Sequence, residues 1–300
     1  MIKTFYSSPL FRMSKIVFGI AIIFSMLFAS EKGIAKPTAF TKREIASLAA
    51  DLSKKEGWDT GSLKAIFSHH KVIRLHDTVS LNITNPIKLS MRKYEHFTEP
   101  FAMKLAKRFN QKWVTTFKRA AKRYKVDPAV ISAIMLVETS YGNFKGDYPL
   151  ISVFASTYLD AKALEVSAQS DELNEKAKQR ITRKKNWALE ELSALVKIKR
   201  RYKNMDLYSI RGSYAGAFGI CQFLPSSYLN HAVRARGNGR PDLFWEPDAI
   251  YSVGNYLKAH GYKQPAGSEE SKKAIFAYNN SDVYVDTVLA VAGKISHMFR

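Results

Sequence analysis

The segment that most constrains this chain is Asp127-Pro128 followed by Ala129–Val137, a run in which Ser132 is the one polar residue. An acid and then a proline read as a helix start. The carboxylate caps the first free N–H groups, and proline fits the first helical position, where its missing N–H would have no partner. A helix that is apolar on every side is a buried one, so the rest of the chain must wrap around this segment. Glu138 closes the run, with Ile134 and Met135 one turn before it and Tyr141 three residues after. A carboxyl placed there loses water, which disfavours its charged form and raises its pKa. A shift of about two units from ~4.3 leaves a proton donor near neutral pH, the property that protonating a glycosidic oxygen requires. The alternative is a structural glutamate, paired with an arginine or capping a loop, and burial alone does not separate the two.

The remaining pattern is helical, with few strand signals. Thr41-Lys42-Arg43-Glu44 matches a capping box and Gly57 a stop. Residues 59–97, with Asn82, Asn85 and Pro86, predict loops and short helices. Thr98-Glu99-Pro100 opens a helix to about Lys125, with an apolar stripe through positions 101, 105, 109, 113, 114 and 117. The segment that opens with Asp127-Pro128 is predicted to end at Gly142. Residues 161–185 are polar and charge-mixed and predict a surface insertion, partly helical, before an amphipathic helix over Trp187–Arg201. Pro247–His260 predicts a helix stopped by Gly261, Lys272–Ala277 a short one, and Val283–Phe299 the last. No repeat or low-complexity tract interrupts this order. The expected class is mainly α and lysozyme-sized.

The N-terminus suggests export. Lys3, Arg12 and Lys15 flank an uncharged run of 14 residues, Ile16–Ala29. That suits a signal-peptide core, whereas a bilayer-spanning helix takes about 20 apolar residues. Gly33-Ile34-Ala35 supplies small residues for cleavage, so residues 1–35 are expected to be a signal peptide and 36–300 the working domain. An uncleaved anchor is the alternative. No cysteine precedes Cys221, the only one in the chain, so neither a lipid-anchored cysteine nor an intrachain disulfide is available. The fold must rest on its core, and 46% hydrophobic residues suffice for that. A periplasm is the expected compartment. The formal charge is +21. Residues 1–35 hold four basic residues and one acid, so the remainder keeps +18. Such a field draws polyanions: anionic lipid, wall polymers or peptide carboxylates. Nucleic acid is disfavoured by the export signal and the lack of a recognised nucleic-acid motif.

Two further clusters carry chemistry. In Arg211–Tyr228, Gly212, Gly216 and Gly219 allow close backbone approach to a ligand or to other backbone, and Ser213 and Gln222 are polar groups able to meet sugar hydroxyls or an acetamide. In Ala277–Val285, tyrosines interleaved with Asn279 and Asn280 suit saccharide binding, and Ser281 or Asp282 can equally cap a helix. With Val137-Glu138-Thr139-Ser140-Tyr141-Gly142 and Asn255-Tyr256-Leu257-Lys258-Ala259-His260-Gly261, these stretches stand in an order and spacing that resembles the membrane-bound lytic transglycosylase B family. The likeness covers about residues 40–300. It implies a mainly α, α+β lysozyme-like fold, in one catalytic domain with a helical N-terminal part and a lysozyme-like core. It also implies cleavage of the β-1,4 bond between N-acetylmuramic acid and N-acetylglucosamine with closure of a 1,6-anhydro ring. By the same resemblance Glu138 matches the acid/base and Ser213 a serine that contacts the acetamide. Tyr141, Gln222, Tyr256, Tyr278, Asn279 and Tyr284 fall on or beside positions lining the saccharide groove. Arg183 and Lys184 roughly match a basic pair that meets peptide carboxylates. Peptidoglycan glycan strands are the expected partner, with an anionic membrane surface or wall-machinery proteins as further candidates, and a monomer is expected.

The sequence departs from that pattern in one loop. Some members of the family bind calcium after the stretch corresponding to Ser226–Val233. Here the chain reads Arg234-Ala235-Arg236-Gly237-Asn238-Gly239-Arg240-Pro241-Asp242. Calcium takes oxygen ligands, mainly carboxylates, at the early alternating positions, and Arg234 and Arg236 put positive charge there. No metal and no cofactor are expected. His69, His70 and His76 have no matching ligand spacing, and Cys221 reads as a small buried thiol. Two other functions stay open at this stage: a hydrolytic muramidase, which needs a second carboxylate from among Asp147, Asp160, Asp242 or Asp282, and a non-catalytic peptidoglycan-binding protein.

Overall fold

The computed structural model describes residues 38–75, 94–168 and 175–300. The expected signal segment and His76 lie outside the described residues. Ten α-helices carry the described fold: α1 (Lys42–Glu56), α2 (Thr60–Phe67), α3 (Pro100–Tyr124), α4 (Pro128–Thr139), α5 (Leu150–Ser167), α6 (Glu175–Arg201), α7 (Pro225–His231), α8 (Glu246–Ala259), α9 (Glu269–Tyr278) and α10 (Asp282–Ile295). Four strands of two residues pair antiparallel, β1 (Thr38–Ala39) with β2 (Ile73–Arg74) and β3 (Tyr148–Pro149) with β4 (Arg211–Gly212). The predicted class, mainly helical and lysozyme-like, is the one observed.

Local signals explain most helix ends. Thr41 Oγ1 accepts from the Glu44 N–H at 3.2 Å, and Glu44 Oε2 accepts from the Thr41 N–H at 2.8 Å, so α1 opens on a reciprocal capping box. Gly57, left-handed at φ 69°, closes it. Asp127 caps α4 through the Ala129 N–H at 2.8 Å. Helix α4 is the buried centre: every residue from Ala129 to Thr139 is buried, and α3, α8 and α10 pack around it. It ends before the predicted Gly142, because Ser140 and Tyr141 both turn left-handed, at φ 49° and 58°. Their N–H groups still donate back to Leu136 and Met135, at 2.8 and 3.1 Å, which satisfies carbonyls of the last turn.

One predicted surface needs correction, and a second segment gains detail. In α3 the buried face runs through Ala102, Ala106, Asn110, Phe117, Ala120 and Tyr124, while Phe101 is 80% exposed and Leu105, Phe109, Trp113 and Val114 are half-buried flanks. Alanines at the contact line let neighbouring helices approach closely, and the larger side chains fill the edges. The segment 161–185, expected as a partly helical surface insertion, is helical over its described residues. Helices α5 and α6 run through it and pack along each other, with Ala161, Ala168 and Ile181 as a small apolar seam. Its charges pair across that seam: Glu165 accepts from Thr182 at 2.7 Å and from Lys185. The amphipathic helix therefore begins at Glu175, well before Trp187.

Candidate active site

Glu138 occupies the last turn of the buried helix and is 7% exposed. Among the described residues no arginine pairs with it. Its partner is Tyr284, one turn into α10, whose hydroxyl donates to Glu138 Oε1 at 2.6 Å. Burial pushes the carboxyl up to about 8, and the Tyr284 hydrogen bond pulls the other way because it favours the charged form. Burial wins, so the carboxyl is protonated at neutral pH. With Oε1 engaged as an acceptor, the proton belongs on Oε2.

Tyrosines surround this carboxyl. The Tyr278 ring lies parallel to that of Tyr284 at 6.5 Å, and its hydroxyl donates to the Cys221 carbonyl at 2.5 Å. Tyr256 meets Tyr278 edge-on at 4.8 Å and donates to the Ala277 carbonyl at 2.7 Å. Tyr94, just before a short 3₁₀ turn at Glu95–Thr98, joins the cluster; burial and the Glu138 charge raise its pKa. Pattern reading missed it, because it sits in an irregular stretch with no periodicity and meets Glu138 only through the tertiary fold.

The glycine-rich stretch supplies the polar groups. Gln222 is held left-handed at φ 49°, and its Nε2 donates to the Gly219 carbonyl at 2.9 Å and to that of Lys145 at 3.4 Å. The Ser213 hydroxyl accepts from the Ala217 N–H at 3.1 Å, which leaves its own proton to donate. Asn279 has a buried Oδ1 with no partner among the described residues. The three glycines serve protein packing: Gly212 faces the Ala217 backbone, Gly216 the Phe154 ring and Gly219 Leu243. Cys221 is fully buried, and burial raises its thiol pKa.

Three predicted site residues are placed differently from the rest. Tyr141 turns inward. Its hydroxyl donates to Ser132 at 2.8 Å, Ser132 donates to Asn110 at 2.7 Å, and its ring stacks on Phe109 at 4.1 Å. This network accounts for the lone serine in the apolar helix. Arg183 and Lys184 do not form a pair. Adjacent residues on a helix point about 100° apart: Arg183 is exposed, while Lys184 is 7% exposed, with its ammonium 3.9 Å from the Trp187 ring centroid. Burial lowers Lys184 to about 7, and no carboxylate pairs with it among the described residues.

The other candidate acids lie in different surroundings. Asp160 pairs with Arg74, Asp242 Oδ1 accepts from the Phe244 N–H at 2.9 Å, and Asp147 and Asp282 are exposed. Glu191 is a second buried carboxylate, raised to about 7 by burial, but it accepts from the Ser226 N–H and hydroxyl at 2.8 and 2.7 Å and so secures the start of α7. Among the described residues no carboxylate contributes to the shift of Glu138.

A lysozyme-like helical fold with a shielded carboxyl at the end of its central helix, faced by tyrosines, defines the class. The chain belongs to the Transglycosylase SLT domain family, whose profile matches residues 41–271. It is 30% identical over 218 residues to membrane-bound lytic murein transglycosylase B of Escherichia coli (strain K12), covering 69% of this chain and 54% of that protein; the chain thus spans about half the length of this relative. The Escherichia coli lytic transglycosylase SLT35, solved in complex with calcium, has a similar fold, with TM-score 0.67 and 22% identity over 85% of this chain and 93% of that one. SltB3 from Pseudomonas aeruginosa, solved in complex with NAG-anhNAM-pentapeptide, superposes with TM-score 0.67 and 19% identity over 86% of this chain and 80% of the other. Among the described residues no helix is long and apolar enough to cross a membrane.

Proposed function

We propose that this protein is a lytic transglycosylase that cuts the β-1,4 bond between N-acetylmuramic acid and N-acetylglucosamine in peptidoglycan. Glu138 Oε2 gives its proton to the leaving glycosidic oxygen as the C1–O bond breaks. The muramoyl N-acetyl group assists at C1, and Ser213 donates to that acetamide. The carboxylate, held by Tyr284, then takes the proton of the muramoyl 6-hydroxyl. Its oxygen closes onto C1, which forms the 1,6-anhydro ring and returns Glu138 to its protonated state. Gln222 and Asn279 offer amide groups to sugar substituents, and Tyr256 and Tyr278 line the groove. Lys184 suits a stem-peptide carboxylate from the wall side, with Arg183 outside it. Tyr141 supports the turn after Glu138 from beneath.

The observation that carries this reading is a buried, protonated Glu138 oriented by a tyrosine, with no second carboxylate acting on it among the described residues. A hydrolase needs that second carboxylate to activate water or to form a covalent intermediate, about 5 to 9.5 Å from the first. We further infer export through residues 1–35 to the periplasm, and action as a monomer on glycan strands. Digestion of purified sacculi tests the function. The wild type should release muropeptides lighter by one water than hydrolytic products, and folded Glu138→Gln protein should release none. Products carrying the full water would make the protein a muramidase, and binding to sacculi without release a wall-binding protein.

A further inference from the structure

By the sequence resemblance, loop 234–242 corresponds to the stretch where some members of the family bind calcium. We infer that in this protein Arg234 takes the cation's place: its guanidinium holds the loop from within, and the loop in turn braces the turn that presents Gln222. The donor set does not suit a metal. Calcium takes about six to eight oxygens, carboxylates prominent among them. Between 234 and 242 the sole carboxylate is Asp242, which is turned onto its own backbone, while Arg234, Arg236 and Arg240 bring three positive charges. The carbonyls converge on a side chain instead. Arg234 Nε donates to the Arg236 carbonyl at 3.0 Å and Nη1 to the Arg240 carbonyl at 3.3 Å. A guanidinium suits this role because it is planar, presents a fixed fork of donors and stays charged. A covalently attached cation also cannot dissociate. From the other side Asp248, fully buried on α8, accepts from the Ala235 and Asp242 N–H groups, each at 2.8 Å. The carboxylate pins both ends of the loop and the guanidinium gathers its middle.

The loop leads directly into the site. Leu243 follows Asp242, and its carbonyl accepts from the Ile220 N–H at 2.8 Å. A Cβ on Gly219 would lie 2.4 Å from Leu243 Cβ, so the two segments touch. The Ile220 carbonyl accepts from Thr139 Oγ1 at 2.7 Å, next to Glu138, and the Cys221 carbonyl accepts from Tyr278. Gln222 is the next residue. Arg234 is thus a positioning residue that reaches the site through Leu243 and Ile220.

Thermal melting and kinetics on sacculi test this together in the full chain. The wild-type midpoint should be the same in millimolar calcium and in chelator, whereas Arg234→Met should lower it by about 3 to 5 °C and remain unresponsive to calcium. Arg234→Lys keeps the charge without the fork and should recover part of the loss. Arg234→Met should raise KM about threefold, with kcat and the alkaline limb of the pH profile unchanged. A wild-type midpoint that rises with calcium, or an Arg234→Met protein that melts with the wild type, overturns the inference. A fall in kcat at constant KM overturns its bracing part. The kinetic arm rests on the proposed function and the melting arm does not, so the failure of either is separately visible.

Discussion

At the scale of residues, two opposing effects set the chemistry of Glu138. Its desolvation by Ile134, Met135 and the tyrosine wall favours the acid, and the Tyr284 hydroxyl favours the carboxylate. A general acid works only while protonated, so kcat/KM should fall as pH rises through about 8. Tyr284→Phe removes the group that favours the charge, and the ring still fills its buried place. That variant should move the alkaline limb to higher pH and lower the rate about tenfold through lost orientation. A limb that stays put or moves down in the pH–rate profile would mean that Tyr284 does not act on this carboxyl. Glu138 could be read in the sequence because it closes an apolar run that marks a buried helix. Tyr94 could not, since nothing local ties it to α4. The Arg183-Lys184 dipeptide looked like a pair in one dimension, and helical rotation sends its members to different surroundings.

At the scale of elements, α4 was legible because every signal agreed: an acid cap, proline at the first position and an apolar run. Helix α3 was legible in its length and not in its rotation. Large apolar residues mark a stripe in sequence, yet burial follows Ala102, Ala106 and Ala120, where close packing needs small side chains. Helices α5 and α6 extend through a segment that reads as solvated, because Glu165, Thr182 and Lys185 pair with one another across it. The glycine turn was visible as composition, but its purpose needed the fold. Gly216 sits at φ 85°, and a Cβ there would lie 2.1 Å from Phe154 Cζ. Phe154 in turn packs edge-on against Trp187 at 5.5 Å. Gly216→Ala should therefore cost about 2 to 4 kcal/mol in urea unfolding, from backbone strain and overpacking combined. An unchanged midpoint would show that the turn is free to shift.

At the scale of the whole molecule, the fold holds the Glu138 proton in its interior, and global stability must record that. In the unfolded chain Glu138 ionises in the usual carboxylate range, whereas in the folded protein it does so near 8. Between those limits the native state binds the extra proton, so stability declines as pH rises. Glutamine in its place keeps an acceptor for Tyr284 and has nothing to ionise. The stability of the wild type measured against Glu138→Gln from pH 4 to 9 is the most direct test of a carboxyl kept neutral by burial. The wild type should lose ground steadily above about pH 4.5, by on the order of 3 kcal/mol at pH 7, and level off beyond about pH 8. A difference that stays flat across this range, or that favours the wild type as pH rises, would contradict it.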